Sequence, residues 1–199
     1  MVNHAEVCRL VSNLFTVIGE DKLTKPVAIK ELLVPAVASQ VITENGRPYK
    51  IELYCKNWQA NQLSGWVDRY ADHAEIYYST SLNCCWARWV ICKELAHLLI
   101  DTKDEHFTKD PKNLVQELVS GLAIPHENHQ VNSEYLAMIA AIEMMFPWKY
   151  REDMKLLMLG GKTDYEITFS FKAPESFVNL LLRSPFGSAS AAANLSIES

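Results

Sequence analysis

Residues 86–101, WARWVICKELAHLLID, constrain the fold more than any other stretch of this chain. Trp89, Cys92, Ala96 and Leu99 line one side at helical spacing, and Lys93, His97 and Asp101 recur every four residues on another. The spacing therefore predicts a helix over 86–101 with an apolar side and a separate polar stripe. Its residues 86–100 are also the most membrane-like segment, yet they carry Arg88, Lys93, Glu94 and His97. No stretch reaches the roughly 18–20 uninterrupted apolar residues a membrane helix needs. The first ten residues, MVNHAEVCRL, lack a cationic start followed by an apolar block, so no secretory signal is expected.

The rest of the chain reads as a helix-rich α+β protein. Only 7 Gly and 8 Pro occur in 199 residues, which favours helix. Residues 5–17 place Val7, Leu10, Val11, Leu14 and Phe15 at helical spacing, and 27–39 form a weaker helix broken or kinked by Pro35. Asn45-Gly46-Arg47-Pro48 signals a turn before strand-like residues 49–54, and 74–79 (AEIYYS) read as a second strand. Pro111 starts a helix that continues over 114–124 to Pro125. Asn132-Ser133-Glu134 predicts an N-cap for a helix over 135–146. Residues 164–172 alternate apolar and polar, which predicts a strand, with a short helix as the alternative; 174–183 read as the final helix. A single domain over 1–183 is expected, followed by a Ser- and Ala-rich disordered tail over 184–199.

Several function classes are disfavoured by composition. The net charge is −5 without a long basic run, which argues against a nucleic-acid binder, because phosphate neutralisation needs clustered cations. Trp58, Trp66, Trp86, Trp89 and Trp148 are not interleaved with basic residues as a base-stacking platform requires. No phosphate-cradling glycine motif and no G-x-S-x-G elbow is present. The five cysteines are odd in number and include the adjacent Cys84-Cys85, so reduced thiols in a cytoplasm are expected, with Cys92 in the core.

The chemistry-bearing segment is CKELAH, residues 92–97, one residue away from HExxH. In that motif two histidines one turn apart grip a Zn²⁺, and the glutamate deprotonates the metal-bound water. Glu94 stands in the general-base position, His97 in the second-ligand position, and Lys93 where the first ligand belongs.

With its flanks, the stretch AEIYYSTSLNCCWARWVICKELAHLLID resembles the core of the ImmA/IrrE family of metallopeptidase-like proteins. The matching positions are Ile76-Tyr77-Tyr78 for an edge strand, Arg88-Trp89 for an Arg-Phe pair, and Glu94-Leu95-x-His97 for the motif. A second landmark is a downstream helix whose glutamate supplies the third ligand. SEYLAMIAAIEMMFP matches it through Glu134, Ala137, Ala140, Ala141, Met144, Met145 and Pro147; in LVQELVSGLAIP, Glu117 falls out of register and Lys112 takes its place. The resemblance covers about residues 60–150. It implies a zincin-like α+β domain with a small antiparallel sheet packed on the motif helix. It also implies phage or mobile-element proteins that cleave a repressor or control a stress response.

Lys93 changes what that resemblance implies. Lysine binds metal only as the neutral amine, and holding it neutral at pH 7 costs about 4–5 kcal/mol. Charged, it leaves His97 and Glu134 as natural ligands, fewer than the three a catalytic zinc keeps. The leading expectation is that the Lys93 ammonium replaces the ion, paired with Glu134 or with Asp101 by way of His97, and that no cofactor is bound. The protein would then be a regulatory pseudo-peptidase that binds a protein partner or peptide, such as a transcriptional regulator, without contacting nucleic acid or membrane. An alternative is an active zinc endopeptidase using Glu94 as base and His97, Glu134 and Asp101 as ligands, aided by His106, His126 or His129. A third is a plain helical interaction module in which His97 is a satisfied core histidine and Glu134 a first-turn acid at the helix dipole.

Overall fold

The computed structural model describes residues 3–41, 43, 46–47, 49–58, 64–101, 129–183 and 185–198. The chain opens with α1 (His4–Ile18), started by a capping box between Asn3 and Glu6 and buried through Val7, Val11, Leu14 and Ile18. A π-helical turn at Ile29–Leu33 leads into α2 (Val34–Gln40). Pro35 sits in the first turn of α2, at the point where the helical run over 29–40 passes from π to α geometry, which is where the sequence predicts a break or kink.

Three strands follow: β1 (Lys50–Lys56), β2 (Gly65–Arg69) and β3 (His73–Ser79). Their order is β1-β3-β2, with β3 parallel to β1 and antiparallel to β2. The sheet is therefore mixed, which corrects the expected antiparallel sheet. It also puts Ile76-Tyr77-Tyr78 in the central strand of the three and not at an edge. The cause lies in the connections: β2 reaches β3 by a tight turn, whereas the longer link from β1 to β2 lets β1 join β3 from the far side.

Asn83 caps α3 (Cys84–Ile100) through a hydrogen bond from the Trp86 amide to its side chain. Ala74 and Ile76 of β3 are fully buried on the sheet face that meets α3. Gly65 permits this contact: a Cβ there would lie 2.3 Å from Val90 Cγ1 and 2.6 Å from the Tyr77 carbonyl oxygen. On its other flank α3 packs along α4 (His129–Met145), whose Leu136, Ala137, Ile139, Ala140, Ala141, Ile142, Met144 and Met145 are all buried. That helix begins before Asn132 and Ser133, which are helical residues and not its N-cap. The helix expected over 109–124 lies outside the described residues.

The last third is entirely helical: α5 (Arg151–Leu159), α6 (Asp164–Phe171), α7 (Ser176–Arg183) and α8 (Pro185–Glu198). The alternation in 164–172 is overruled by a capping box in which Thr163 and Glu166 satisfy each other's backbone amides, and Ile167, Thr168 and Phe171 are buried. The tail expected to be disordered over 184–199 forms α8, packed on α1 and α7. Small residues do this. A Cβ on Gly187 would stand 1.9 Å from the Leu181 carbonyl oxygen, and Ser190, Ala193 and Asn194 share one buried side. Ser190 and Asn194 also hydrogen-bond the buried Glu143 carboxylate, which Arg151 pairs with at 2.9 Å.

Because Gly65 sets the sheet-to-helix distance, Gly65→Ala is expected to lower stability by about 1–3 kcal/mol through overpacking, read as a reduced urea midpoint with an unchanged slope.

Candidate functional site

The side chains singled out in the sequence meet between α3 and α4. One turn separates Lys93 from His97 and another separates His97 from Asp101, so all three project from one side of α3. Glu134 comes across from α4. Lys93 Nζ lies 2.9 Å from Glu134 Oε2, 2.9 Å from Glu94 Oε1 and 3.5 Å from His97 Nε2. Glu134 Oε1 is 3.2 Å from His97 Nε2, so one carboxylate bridges the ammonium and the imidazole. On the opposite side of the ring, His97 Nδ1 lies 2.6 Å from Asp101 Oδ2.

Two contributors carried no sequence signal for their roles. Ser133 donates to Asp101 Oδ1 at 2.6 Å and lies 3.4 Å from His97 Nδ1, so it orients the acid that orients the ring. Its position beside Glu134 was the available clue, obscured by reading Asn132-Ser133 as a cap. Arg69, at the end of β2, donates to the carbonyl oxygens of His97 and Asp101. It thereby ties the sheet to the C-terminal end of α3, adding a second donor to the His97 carbonyl, which also accepts from the Asp101 amide, and satisfying that of Asp101.

Burial is deep. The side chains of Glu94, His97 and Asp101 are 3–4% exposed, Lys93 14% and Glu134 22%. Burial alone would strip the charge from Lys93, but the Glu94 and Glu134 carboxylates outweigh it and raise the ammonium above the ordinary lysine range. Burial likewise opposes a charged His97. Hydrogen bonds to Asp101 and Glu134 overcome that and push the imidazole up to about 9, against a smaller opposing effect of Lys93. Glu134 is held well below the usual carboxylate range, because Lys93 and His97 together override its desolvation.

Among the described residues the cluster offers His97 Nε2 and Glu134 as donors that could share one ion, fewer than the three protein ligands a catalytic zinc keeps. Lys93 is stabilised as the ammonium, whose nitrogen has no lone pair for a metal. Both ring nitrogens of His97 face carboxylates, Glu134 at Nε2 and Asp101 at Nδ1. Asp101 and Glu134 therefore lie on opposite sides of the imidazole, so that Asp101 meets the ring at Nδ1 and Glu134 at Nε2. No group of three His, Cys, Asp or Glu side chains that could hold a metal occurs among the described residues. Glu94, placed in the sequence as the general base, is 2% exposed with its carboxylate against the Lys93 ammonium.

Other candidates separate from the site. His106, His126, Lys112 and Glu117 lie outside the described residues, as does the side chain of His129. Glu134 lies beyond the first turn of α4, so its partners are side chains and not the helix end. Arg88 donates to the Val27 carbonyl at 2.7 Å, and Trp89 packs against Trp86 and Phe177. Cys84, Cys85 and Cys92 are free thiols, and burial pushes Cys92 up to about 12, which leaves it unreactive.

Comparison with protein-family models, with curated proteins and with solved structures gave no match to this chain. No helix among the described residues is long and apolar enough to cross a membrane.

The raised pKa of His97 makes stability pH-dependent. The imidazolium faces Asp101 and Ser133 at Nδ1 and Glu134 and Lys93 at Nε2. Its contribution is fully present below about pH 6.5, the unfolded value, and is lost as pH rises through about 9. Unfolding free energy is expected to fall by up to about 3 kcal/mol across that window, and His97→Gln to flatten the profile there. Urea titrations at stepped pH check this.

Proposed function

We propose that this chain is a metallopeptidase-like domain of the ImmA/IrrE type in which a lysine ammonium stands where the first zinc ligand would be. On this reading it acts in the cytoplasm by binding a protein partner, a regulator, rather than by hydrolysing it. The observation that carries the reading is the placement of Lys93 Nζ, 2.9 Å from both Glu94 and Glu134 and 3.5 Å from the His97 ring nitrogen. These are the positions of the base, the third ligand and the second ligand in the resembled motif.

The zincin-like interpretation also draws on the layering. The sheet lies on the helix that carries E-L-x-H, and a second helix brings the glutamate across. In such a site a metal would organise the carboxylate and the imidazole and would acidify a bound water. The ammonium supplies one positive charge and fixed hydrogen bonds but holds no water for attack. Glu94 then has no proton to abstract, and its carboxylate serves as a counter-ion. What survives is a preorganised, closed cluster of paired charges between α3 and α4.

Metal analysis of the purified protein tests this. It is expected to show only traces of zinc; stoichiometric zinc lost in His97→Gln and Glu134→Gln would overturn the proposal. Lys93→His should convert the cluster into three ligands that bind about one zinc per chain, removed by the further change Glu134→Gln. Lys93→Ala leaves the buried Glu94 carboxylate without its cation and Glu134 with His97 alone, and it should cost about 3–5 kcal/mol in urea unfolding.

A further inference from the structure

The sheet has two faces of opposite character. One, carrying Ala74, Ile76, Val67 and Gly65, is turned to α3. The other carries two rows of side chains fixed by strand register. Glu52, Glu75 and Asp68 are direct cross-strand partners, and so are Tyr54, Tyr77 and Trp66 in the next row. Three acids side by side on adjacent strands oppose folding, since like charges in direct cross-strand pairs destabilise a sheet. Their alignment is therefore a cost to stability that packing does not explain.

We propose that this outer face docks a basic segment of a protein partner, taking arginine or lysine side chains on the aromatic row and against the acidic row. The rings form a continuous row: Tyr54 and Tyr77 stack at 5.3 Å, Tyr77 and Trp66 at 4.8 Å, and Trp58 extends it beyond Trp66 at 4.9 Å; Tyr77 at its centre is only 9% exposed, so the half-buried Tyr54, Trp66 and Trp58 present the accessible ring surface. The carboxylates are held in place from the same face. Tyr54 donates to Glu52, Tyr77 to Glu75, and Trp66 Nε1 to Asp68 at 3.1 Å.

The chain itself shows what the platform accepts. The Lys56 ammonium sits 4.3 Å from the Tyr77 ring centroid and 5.7 Å from that of Tyr54. Lys50 pairs with Glu52 at one margin. Among the described residues no cation pairs with Glu75 or Asp68, so the acidic row is under-neutralised at its centre and at the β2 side. Adjacent strands lie about 4.8 Å apart and alternate rows about 6.7 Å apart, so a guanidinium lying on a ring reaches the neighbouring carboxylate. Phosphate-bearing partners are repelled by the same row. This surface lies on the far side of the sheet from the Lys93 cluster, and the proposal holds or fails independently of the zinc measurement.

The test titrates the full chain with a capped peptide of alternating arginine and glycine, followed by calorimetry and by tryptophan fluorescence. Saturable binding is expected, weakened at least about tenfold in the Glu75→Gln/Asp68→Asn double variant. The charge-matched control Glu31→Gln/Glu152→Gln, on the helical part, should bind as wild type does. Lys56→Ala, which removes the tethered competitor, should bind more tightly. Removing like charges should leave the melting temperature of the double variant unchanged or higher, so that lost binding is not lost folding. Equal losses in the double variant and the control, no binding at millimolar peptide, weaker binding by Lys56→Ala, or equally tight binding of free spermine would each overturn the proposal.

Discussion

Burying the Lys93 ammonium between two helices is tolerable only because carboxylates meet it from both. An isolated ammonium in a protein interior would lose its proton or force the helices apart. Glu94 from its own helix and Glu134 from α4 instead hold it charged, and Glu134 passes the constraint on to His97, Asp101 and Ser133. The rotation and depth at which α3 and α4 pack follow from this chain of contacts. An apolar seam alone would allow them to slide, because α4 is apolar around most of its circumference.

Helix α4 is pinned a second time. Glu143, 2% exposed, takes the Arg151 guanidinium from α5 and the Ser190 and Asn194 side chains from α8. The two acids of α4 thus face different neighbours. Glu134 fixes it to the motif helix, and Glu143 fixes it to the C-terminal helices. Apolar burial supplies the driving force for packing, and the paired charges select one arrangement among many of similar apolar area.

Much of this was legible in the sequence where local chemistry and tertiary demand agree. The four-residue recurrence of Lys93, His97 and Asp101 marked both the helix and the polar cluster, and the resemblance of residues 133–147 to a family's landmark helix pointed to Glu134 as the acid that crosses to it. What was not legible depended on partners distant in the chain. Ser133 was masked by its resemblance to a cap, and Arg69 is one arginine at the end of a short strand. The alternation in 164–172 concealed a helix that the Thr163–Glu166 box announces, since period alone does not weigh an end signal. Tail residues 185–198 misled because burial was sought in large side chains, whereas α8 is held by small residues that let backbones approach. The strand arrangement was out of reach, because parallel and antiparallel neighbours are chosen by connections and not by strand composition.

The central place of β3 has a consequence for how an extended chain could meet this domain. Both hydrogen-bonding margins of the strand that precedes the motif helix are occupied, by β1 on one side and β2 on the other. A visiting peptide cannot zip onto that strand through its own main chain, so lengthening of the sheet is confined to the outer margins of β1 and β2. Main-chain pairing next to the strand that feeds the motif helix is thus closed, and any added strand would have to lie beside β1 or β2.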